Sequence, residues 1–296
     1  MAQTAEVDFR HYILTRFNLP LSSRNVGTGI DVCGEEYLAY RFGLFEDYCL
    51  PSVKNQSCQN FKWLVLFDSN TPSAYKDRVE AWHQDYPNLI PCYLDVEHYG
   101  GLTPSSADSV FDVDHDENML RITREFLSDI FEDLYGPSSR WCVTTRLDSD
   151  DAIHRDLIKT IQRLFLKEPK EFVLDFVASY KYVPEEHIVY RYWLKNGHFI
   201  TFAEAPSHKP RTVLFCNHLK IDQFVHVQHV YGLPLQLELI HGGNVVNGYT
   251  ELSVSGLLCA LFHFQKKLFG LITTTYSRRK SLWMAGSLLK HRLIGK

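Results

Sequence analysis

The feature that most constrains the fold of this 296-residue chain is an apolar run that ends in a cluster of acids. The run Trp141-Cys-Val-Thr-Thr-Arg-Leu leads directly into Asp148, Asp150 and Asp151. Such a run is typical of a buried parallel strand, whose carboxyl end faces the ligand cleft of an open α/β sheet. Carboxylates this close raise one another's pKa unless a positive charge compensates them. The pattern therefore predicts a cation in the cleft, with Mg²⁺ or Mn²⁺ as the natural candidate for oxygen ligands.

An Asp-x-Asp tripeptide also fits a plainer interpretation. Asp150 or Asp151 precedes Ala152-Ile153 and can cap the N-terminus of a helix that begins there. A second acidic run, at 111–117, competes as a metal site, but no strand precedes it. We interpret that run as the solvated start of a helix.

Composition favours a cytoplasmic globular protein. Hydrophobic residues make up 45% of the chain, enough for a large core. The seven cysteines include no C-x-x-C pair, which predicts reduced thiols and argues against a disulfide framework or a zinc site. The first residues show neither the basic nor the apolar segment of a secretory signal.

The charge is unevenly distributed along the chain. There are 31 basic and 35 acidic residues, and eight of the basic but none of the acidic ones lie in 252–296. Residues 1–251 therefore carry 23 basic and 35 acidic groups, which argues against nucleic-acid binding by the main domain.

The pattern of apolar residues predicts an α/β fold. In the first half, predicted strands alternate with predicted helices, as in a parallel sheet covered on both faces. The strands are predicted at 11–18, 61–67, 89–94 and 141–147, and the helices at 36–53 (ending at Pro51), 75–86 and 119–135. The acids thus follow the fourth strand.

The second half predicts a mixed or antiparallel extension of this sheet. A helix at 157–165 is followed by three β-rich runs, and Asn196-Gly197 predicts a hairpin between the last two. These runs are 171–178, 187–193 and 198–203. A helix is expected at 222–231, and the run 235–240 leads into His241-Gly-Gly-Asn244.

The motifs in these segments resemble those of glycosyltransferases with the GT-A fold, and more narrowly the bacterial family called "putative rhamnosyltransferases". The similarity extends over about residues 10 to 248. The segments that carry it are His11-Tyr-Ile-Leu-Thr-Arg-Phe-Asn, Phe45-Glu-x-Tyr-Cys-Leu-Pro-Ser-Val, Phe61-x-Trp-Leu-Val-Leu-Phe-Asp, Thr145-Arg-Leu-Asp-x-Asp-Asp and Ile240-His-Gly-Gly-Asn-Val-Val-Asn.

The resemblance implies a GT-A-like, Rossmann-type, mostly parallel sheet. Residues 1–250 would form the glycosyltransferase domain, with about 10–151 as its nucleotide-sugar and metal half and 152–250 as its acceptor half. Beyond the resemblance, the apolar and basic residues of 251–296 predict a basic amphipathic helical segment.

The resemblance also implies roles for single residues. The metal would be held by Asp148, Asp150 and His241, while Asp151 would orient the sugar hydroxyls or a ligating acid. The donor site would comprise Thr15, Arg16, Asp68, Arg146, Asp148, Gly242 and Gly243. Plainer roles remain open: Arg16 as a surface residue at a strand end, Asp68 in a turn, and His241 as a structural histidine.

The implied activity moves a sugar, such as rhamnose or another hexose, from a nucleoside-diphosphate sugar to a glycan or lipid-linked acceptor hydroxyl in bacterial surface polysaccharide synthesis. Mn²⁺ or Mg²⁺ would neutralise the leaving diphosphate. An inverting route needs a carboxylate base, for which Glu204, Asp222 and Glu238 are candidates, and a retaining route stays open.

Two alternatives come from other classes. A sugar nucleotidyltransferase usually has a Gly-rich basic loop after the first strand, which 19–30 lacks. A carbohydrate- or partner-binding module without catalysis is the other. The tail, 252–296, either lies on the inner face of the cell membrane as an interfacial segment or packs on protein.

Overall fold

The computed structural model describes residues 7–19, 31–101, 113–134, 140–207, 209–242, 252–271 and 275–294. Its strands are β1 (Phe9–Arg16), β2 (Lys62–Asp68), β3 (Leu89–Leu94), β4 (Trp141–Arg146), β5 (Ala152–Ile153), β6 (Phe172–Phe176), β7 (Ala178–Val183), β8 (Ile188–Trp193), β9 (Ile200–Glu204), β10 (Val227–Val230) and β11 (Gln236–Leu239). The α-helices are α1 (Glu35–Leu44), α2 (Leu50–Lys54), α3 (Ser73–Asp85), α4 (Val113–Leu134), α5 (Leu157–Lys167), α6 (Val254–His263) and α7 (Arg278–Ile294).

Seven strands form the larger sheet in the order β10-β6-β9-β4-β1-β2-β3. Strand β1 pairs in parallel with both β2 and β4, and β2 pairs in parallel with β3. Only β9 among these described strands runs antiparallel to its neighbours, β4 and β6. The mostly parallel α/β sheet predicted from the sequence is therefore confirmed.

Both faces of this sheet are covered, which explains the continuous apolar runs of its strands. Ile13 of β1 points into one apolar cluster and Leu14 into another, because successive side chains of a strand face opposite sides. Phe42 of α1 packs in the first cluster, and Leu127 of α4 packs in the second.

The smaller sheet has the order β5-β11-β7-β8. Val177 alone separates β6 from β7, so one predicted β-rich run crosses from the larger sheet into the smaller one. Strand β5 pairs antiparallel with β11, directly after the acid cluster. The interpretation of Asp150 or Asp151 as the cap of a helix beginning at Ala152 is therefore wrong.

Two further predictions about the second half are wrong. Residues 222–231 form the end of a 3₁₀-helix, His218–Gln223, and then β10, because parallel pairing with β6 overrides local helical preference. Asn196 adopts the positive φ of 53° expected of a turn, yet no hairpin forms there. Strand β8 pairs with β7 in the smaller sheet, whereas β9 joins the larger one.

The helix boundaries differ from prediction at two places. Helix α1 continues through a π-helical stretch, Phe45–Cys49, into α2, and Pro51 lies in the first turn of α2, where proline is tolerated. Helix α4 already begins at Val113, which confirms the helical interpretation of the second acidic run. Residues 111 and 112 of that run lie outside the described residues.

The C-terminal tail is helical, as predicted, and packs on the smaller sheet. Phe264, Phe269 and Leu271 join Tyr180 and Leu237 in one apolar cluster. Within the part of the chain that the structure describes, no helix is both long and apolar enough to cross a bilayer.

A substitution at Gly256 tests how closely α6 packs against β8. A Cβ there would come within 2.4 Å of the backbone oxygen of Arg191. We therefore expect Gly256→Ala to lower the free energy of unfolding by about 1–3 kcal/mol in chemical denaturation, because α6 must move away from β8. The matched control is Gly286→Ala in α7, where a Cβ meets nothing within 4 Å. It should be neutral or up to about 1 kcal/mol stabilising, and equal losses in both variants would contradict the proposed contact.

Candidate active site

The carboxyl ends of β1, β2 and β4 bring predicted site residues to one edge of the larger sheet. Leu14 of β1 is paired with Arg146 of β4, so Arg16 lies beside Asp148, two residues further along each strand. Leu66 is paired with Arg16, which places Asp68 at the same edge. An open α/β sheet binds its ligand at such an edge, where the strand order reverses.

Asp148 is held by the arginine that ends β4. Nε of Arg146 donates to Oδ1 of Asp148, and Nη2 of Arg146 donates to Oδ2, each at 3.2 Å. Burial alone would raise the pKa of Asp148, but Arg146, His198 and Arg16 together hold that pKa well below its usual range. Asp148 is therefore a carboxylate with a third of its side chain exposed to the cleft.

Asp150 is bound by helix α1. Arg41 donates from Nη1 to Oδ2 at 2.8 Å and from Nη2 to Oδ1 at 3.2 Å, and it also contacts Ser149. His241 Nε2 lies 2.9 Å from Oδ2 of Asp150, and Tyr40 Oη lies 2.8 Å from His241 Nδ1. The charge of Asp150 is thus compensated inside the protein, although burial opposes its ionisation.

Asp151 is paired with a histidine from the segment between the two sheets. His198 Nε2 lies 3.1 Å from Oδ2 of Asp151, and the backbone N–H of Leu239 donates to Oδ1 at 2.9 Å. Burial raises the pKa of Asp151 to about 8 despite these donors. Burial lowers the pKa of His198, but the hydrogen bond to Asp151 and the negative charges of Asp151, Asp148 and Glu238 together raise that pKa above its usual value. The pair consequently retains a proton at neutral pH.

The acid cluster contains one group of side chains that suits a cation. Ligand atoms of Asp148, Asp151 and His198 all lie within 4.8 Å of one another. Of the predicted ligands, Asp148 belongs to this group, whereas Asp150 and His241 pair with each other beside it. Among the described residues, no other group of three or more histidine, cysteine or acidic side chains has ligand atoms this close together.

Several predicted site residues have other partners. The Thr15 hydroxyl is fully buried and accepts a hydrogen bond from Trp63 Nε1 at 2.9 Å. Glu204 is paired with Cys142 at the start of β4, the end remote from Asp148, and accepts the backbone N–H groups of Arg211 and Thr212. These contacts stabilise the sheet, and the predicted roles of Thr15 at the donor site and of Glu204 as a base stay predictions.

The remaining predicted residues are two candidate bases and the two glycines. Asp222 is exposed on the 3₁₀-helix and accepts from Asn196 Nδ2 at 3.1 Å. Glu238 is buried on β11 and accepts from Tyr192 Oη at 2.6 Å. A Cβ on Gly242 would meet nothing within 4 Å, so packing does not require glycine there. Gly243 lies outside the described residues.

Sequence reasoning missed Arg41, Tyr40 and His198. Arg41 interrupts an otherwise apolar stretch of α1, and this lone cation in the apolar run 37–45 was the available signal. His198 had none, because its partner Asp151 is 47 residues away and the predicted hairpin, which does not form, paired the run of His198 with β8.

Comparison with solved structures found distant similarities to a nucleotide-diphospho-sugar transferase and to TarS. A structure of residues 1–349 of TarS from S. aureus shares 8% identity over 78% of this chain and 60% of that chain, less than two thirds of its length, with a TM-score of 0.40. TarS in complex with UDP-GlcNAc shares 9% identity over 96% and 72% of the two chains, with a TM-score of 0.39. A putative nucleotide-diphospho-sugar transferase from Desulfovibrio desulfuricans G20 shares 9% over 96% and 98%, with a TM-score of 0.38. No curated protein matches the chain.

The family that the chain matches defines the class of this protein as a glycosyltransferase with a GT-A-like fold. The model of the family described as "Putative rhamnosyl transferase" matches residues 32–121 and 112–250, well over half of the chain. The chain belongs to this family. The enzyme class predicted from its sequence is confirmed.

The Arg41–Asp150 pair allows a double-mutant test of the acid cluster. Both side chains are nearly buried, at 13% and 11% exposure. Arg41→Met leaves a buried carboxylate without its counter-charge, so we expect the free energy of unfolding to fall by about 3–5 kcal/mol, and most of this loss to be recovered when Asp150→Asn is added.

The control for this cycle is Arg78→Met, which breaks the more exposed pair with Glu46. That substitution should cost no more than about 1 kcal/mol. Additive effects of Arg41→Met and Asp150→Asn in urea denaturation would show that the two side chains are not energetically coupled.

Proposed function

We propose that this glycosyltransferase uses a nucleoside-diphosphate sugar and binds its diphosphate at the edge formed by β1, β2 and β4. The observation that carries the proposal is the group Asp148, Asp151 and His198, which lies beside Arg16 and Arg146. Oxygen and imidazole ligands for a cation adjoin arginines that suit phosphate. The sugar would be rhamnose or another hexose, and the acceptor a hydroxyl of a glycan or lipid-linked glycan in surface polysaccharide synthesis.

The residues present fit a divalent metal ion. Two carboxylate oxygens and one imidazole nitrogen are a donor set that Mn²⁺ or Mg²⁺ accepts, and the exposed side of Asp148 leaves room for water and phosphate oxygens. When bound, such an ion would neutralise charge that builds on the leaving diphosphate. Asp150 and His241 are the other two predicted ligands. They stay candidates for binding the ion because their side chains lie together beside this group.

The protein's own residues would position the donor. Arg16 would contact the diphosphate, and Asp68, whose Oδ1 already accepts from the backbone of Asn70, would face the nucleoside. Arg41 would hold Asp150, and through it His241, while the carboxylate cluster binds the donor. Asp151, held between His198 and the backbone N–H of Leu239, would offer its carboxylate to the same ion as Asp148.

For an inverting route we propose Asp222 as the base that accepts the proton of the acceptor hydroxyl. It is the exposed member of the three candidates, whereas Glu204 and Glu238 are each 2% exposed. The 3₁₀-helix that carries Asp222 also carries His218, whose ring centroid lies 6.5 Å from that of His198. Asp222 is therefore accessible to an acceptor on the side of the sheet where the acid cluster lies.

Nucleoside diphosphates should stabilise the protein in thermal-shift measurements only together with Mn²⁺ or Mg²⁺. A panel of UDP, GDP and dTDP, each with and without Mn²⁺, identifies the nucleobase of the donor. A ligand at about 100 times its Kd adds about 2.7 kcal/mol to the free energy of unfolding. Asp148→Asn should abolish the Mn²⁺-dependent part and lower kcat/KM for the matching sugar nucleotide by roughly 100-fold or more.

The control is Asp85→Asn, a mostly exposed acid at the end of α3. It should behave as the unsubstituted protein does. Full metal-dependent turnover by Asp148→Asn would contradict the site, and nucleotide binding without sugar transfer or donor hydrolysis would favour a binding module.

Asp222→Asn and Glu204→Gln separate two candidate bases. We expect Asp222→Asn to lower kcat by roughly 100-fold while the KM for the donor stays constant, since proton transfer alone is impaired. Glu204→Gln should leave kcat within a few-fold and lower the melting temperature. The reverse result, measured by release of the nucleoside diphosphate, would assign the base to Glu204.

A further inference from the structure

Helix α7 uses only one side to pack on the protein. Ser281 and Ala285 are buried, and Ala285 shares an apolar cluster with Leu257 of α6 and Ile240. Lys280 forms an ion pair with Glu186 at the start of the helix. The opposite side of α7 is exposed along its described length.

This exposed side is apolar at its centre. Leu282, Trp283 and Leu289 are 52%, 71% and 47% exposed, and exposed Arg279 and Lys290 flank them. The spacing of these positions places them on one face of an α-helix. Single exposed apolar residues are common on proteins, but a tryptophan and two leucines together on one helix face mark an interaction surface. We call these five residues the α7 outer face.

Positive charge surrounds the α7 outer face. The segment 252–296 carries eight basic and no acidic residues. Beside the start of α7 is a cavity of about 560 Å³ whose lining includes Lys266, Lys267 and Arg278 together with Phe264 and Tyr276. A surface of this kind matches a partner that presents negative charge above an apolar layer.

We propose that the α7 outer face docks on an anionic lipid bilayer, with Trp283 and the two leucines at the headgroup boundary and the basic side chains on lipid phosphates. Tryptophan suits this boundary because its ring is apolar and its N–H is polar. Helices that lie in the interface combine apolar residues in contact with lipid and nearby Lys or Arg that bind lipid phosphates, and Arg279 and Lys290 stand at the two ends of the α7 outer face.

The same charges argue against self-association through this face. A symmetric dimer would bring Arg279 and Lys290 of two copies together with no acidic residue of the segment to compensate them. Docking would also place the active site close to the membrane, since Ile240, which packs with Ala285, directly precedes His241.

Flotation of the full chain with vesicles tests the proposal. We expect binding to vesicles of phosphatidylcholine mixed with phosphatidylglycerol, weak binding to phosphatidylcholine alone, and loss of binding at high salt. Trp283→Ser combined with Leu282→Ser should weaken binding roughly tenfold or more. Arg279→Gln and Lys290→Gln should each weaken it about fivefold.

Two control variants make the result specific. Tyr231→Ser removes an aromatic ring that is 61% exposed at the end of β10, and it should bind vesicles as the unsubstituted chain does. Trp283→Phe should retain binding but remove the blue shift of tryptophan emission that accompanies it. Circular dichroism and melting temperature show whether each variant is folded.

Three outcomes would overturn the proposal. One is absence of binding to the anionic vesicles by the folded, unsubstituted chain. Another is binding that survives the double serine substitution. The third is a dimer in sedimentation analysis that dissociates on Trp283→Ser while vesicles are not bound, which would assign the face to a second copy of the chain.

Discussion

Mutual repulsion of three carboxylates at the end of β4 is the constraint on which the rest of the site depends. Each acid is compensated from a different part of the chain: Asp148 by Arg146, Asp150 by Arg41, and Asp151 by His198. Close like charges in a poorly hydrated cleft cost free energy unless each has its own partner. The acid loop can therefore adopt this form only once the elements that carry these partners are in place.

Two contacts between elements are needed for this compensation of charge. Helix α1 must pack against the larger sheet before Arg41 can reach Asp150, and its aromatic residue Phe42 provides that packing in the cluster that includes Phe17 and Trp82. Strand β11 must pair with β5 before the backbone of Leu239 can donate to Asp151. The smaller sheet thus closes over the carboxyl edge of the larger one and fixes the acids.

The sequence predicted what local patterns determine. Four apolar runs with helices between them were enough to predict the parallel strands, and the end of β4 was enough to place Asp148. The family resemblance added Arg16 and Asp68 at the same edge. Partners far apart in sequence could not be predicted, as with Arg41 and Asp150, which are 109 residues apart. The segment 222–231 was mispredicted for a related reason, because β10 exists through its pairing with β6.

Charge balance also bears on how a metal ion and a donor would bind. With Arg146, Arg41 and the protonated Asp151–His198 pair in place, the cluster has little net negative charge to offer a free divalent ion. A nucleoside diphosphate would bring negative charge of its own, and its phosphate oxygens would add to the ligands that Asp148, Asp151 and His198 offer an ion. Binding of the ion and the diphosphate should consequently be mutually reinforcing, because each compensates the charge that the other introduces. The internal arginines that make the acid cluster stable without a ligand are thus the same groups that would make its affinity for metal depend on the donor.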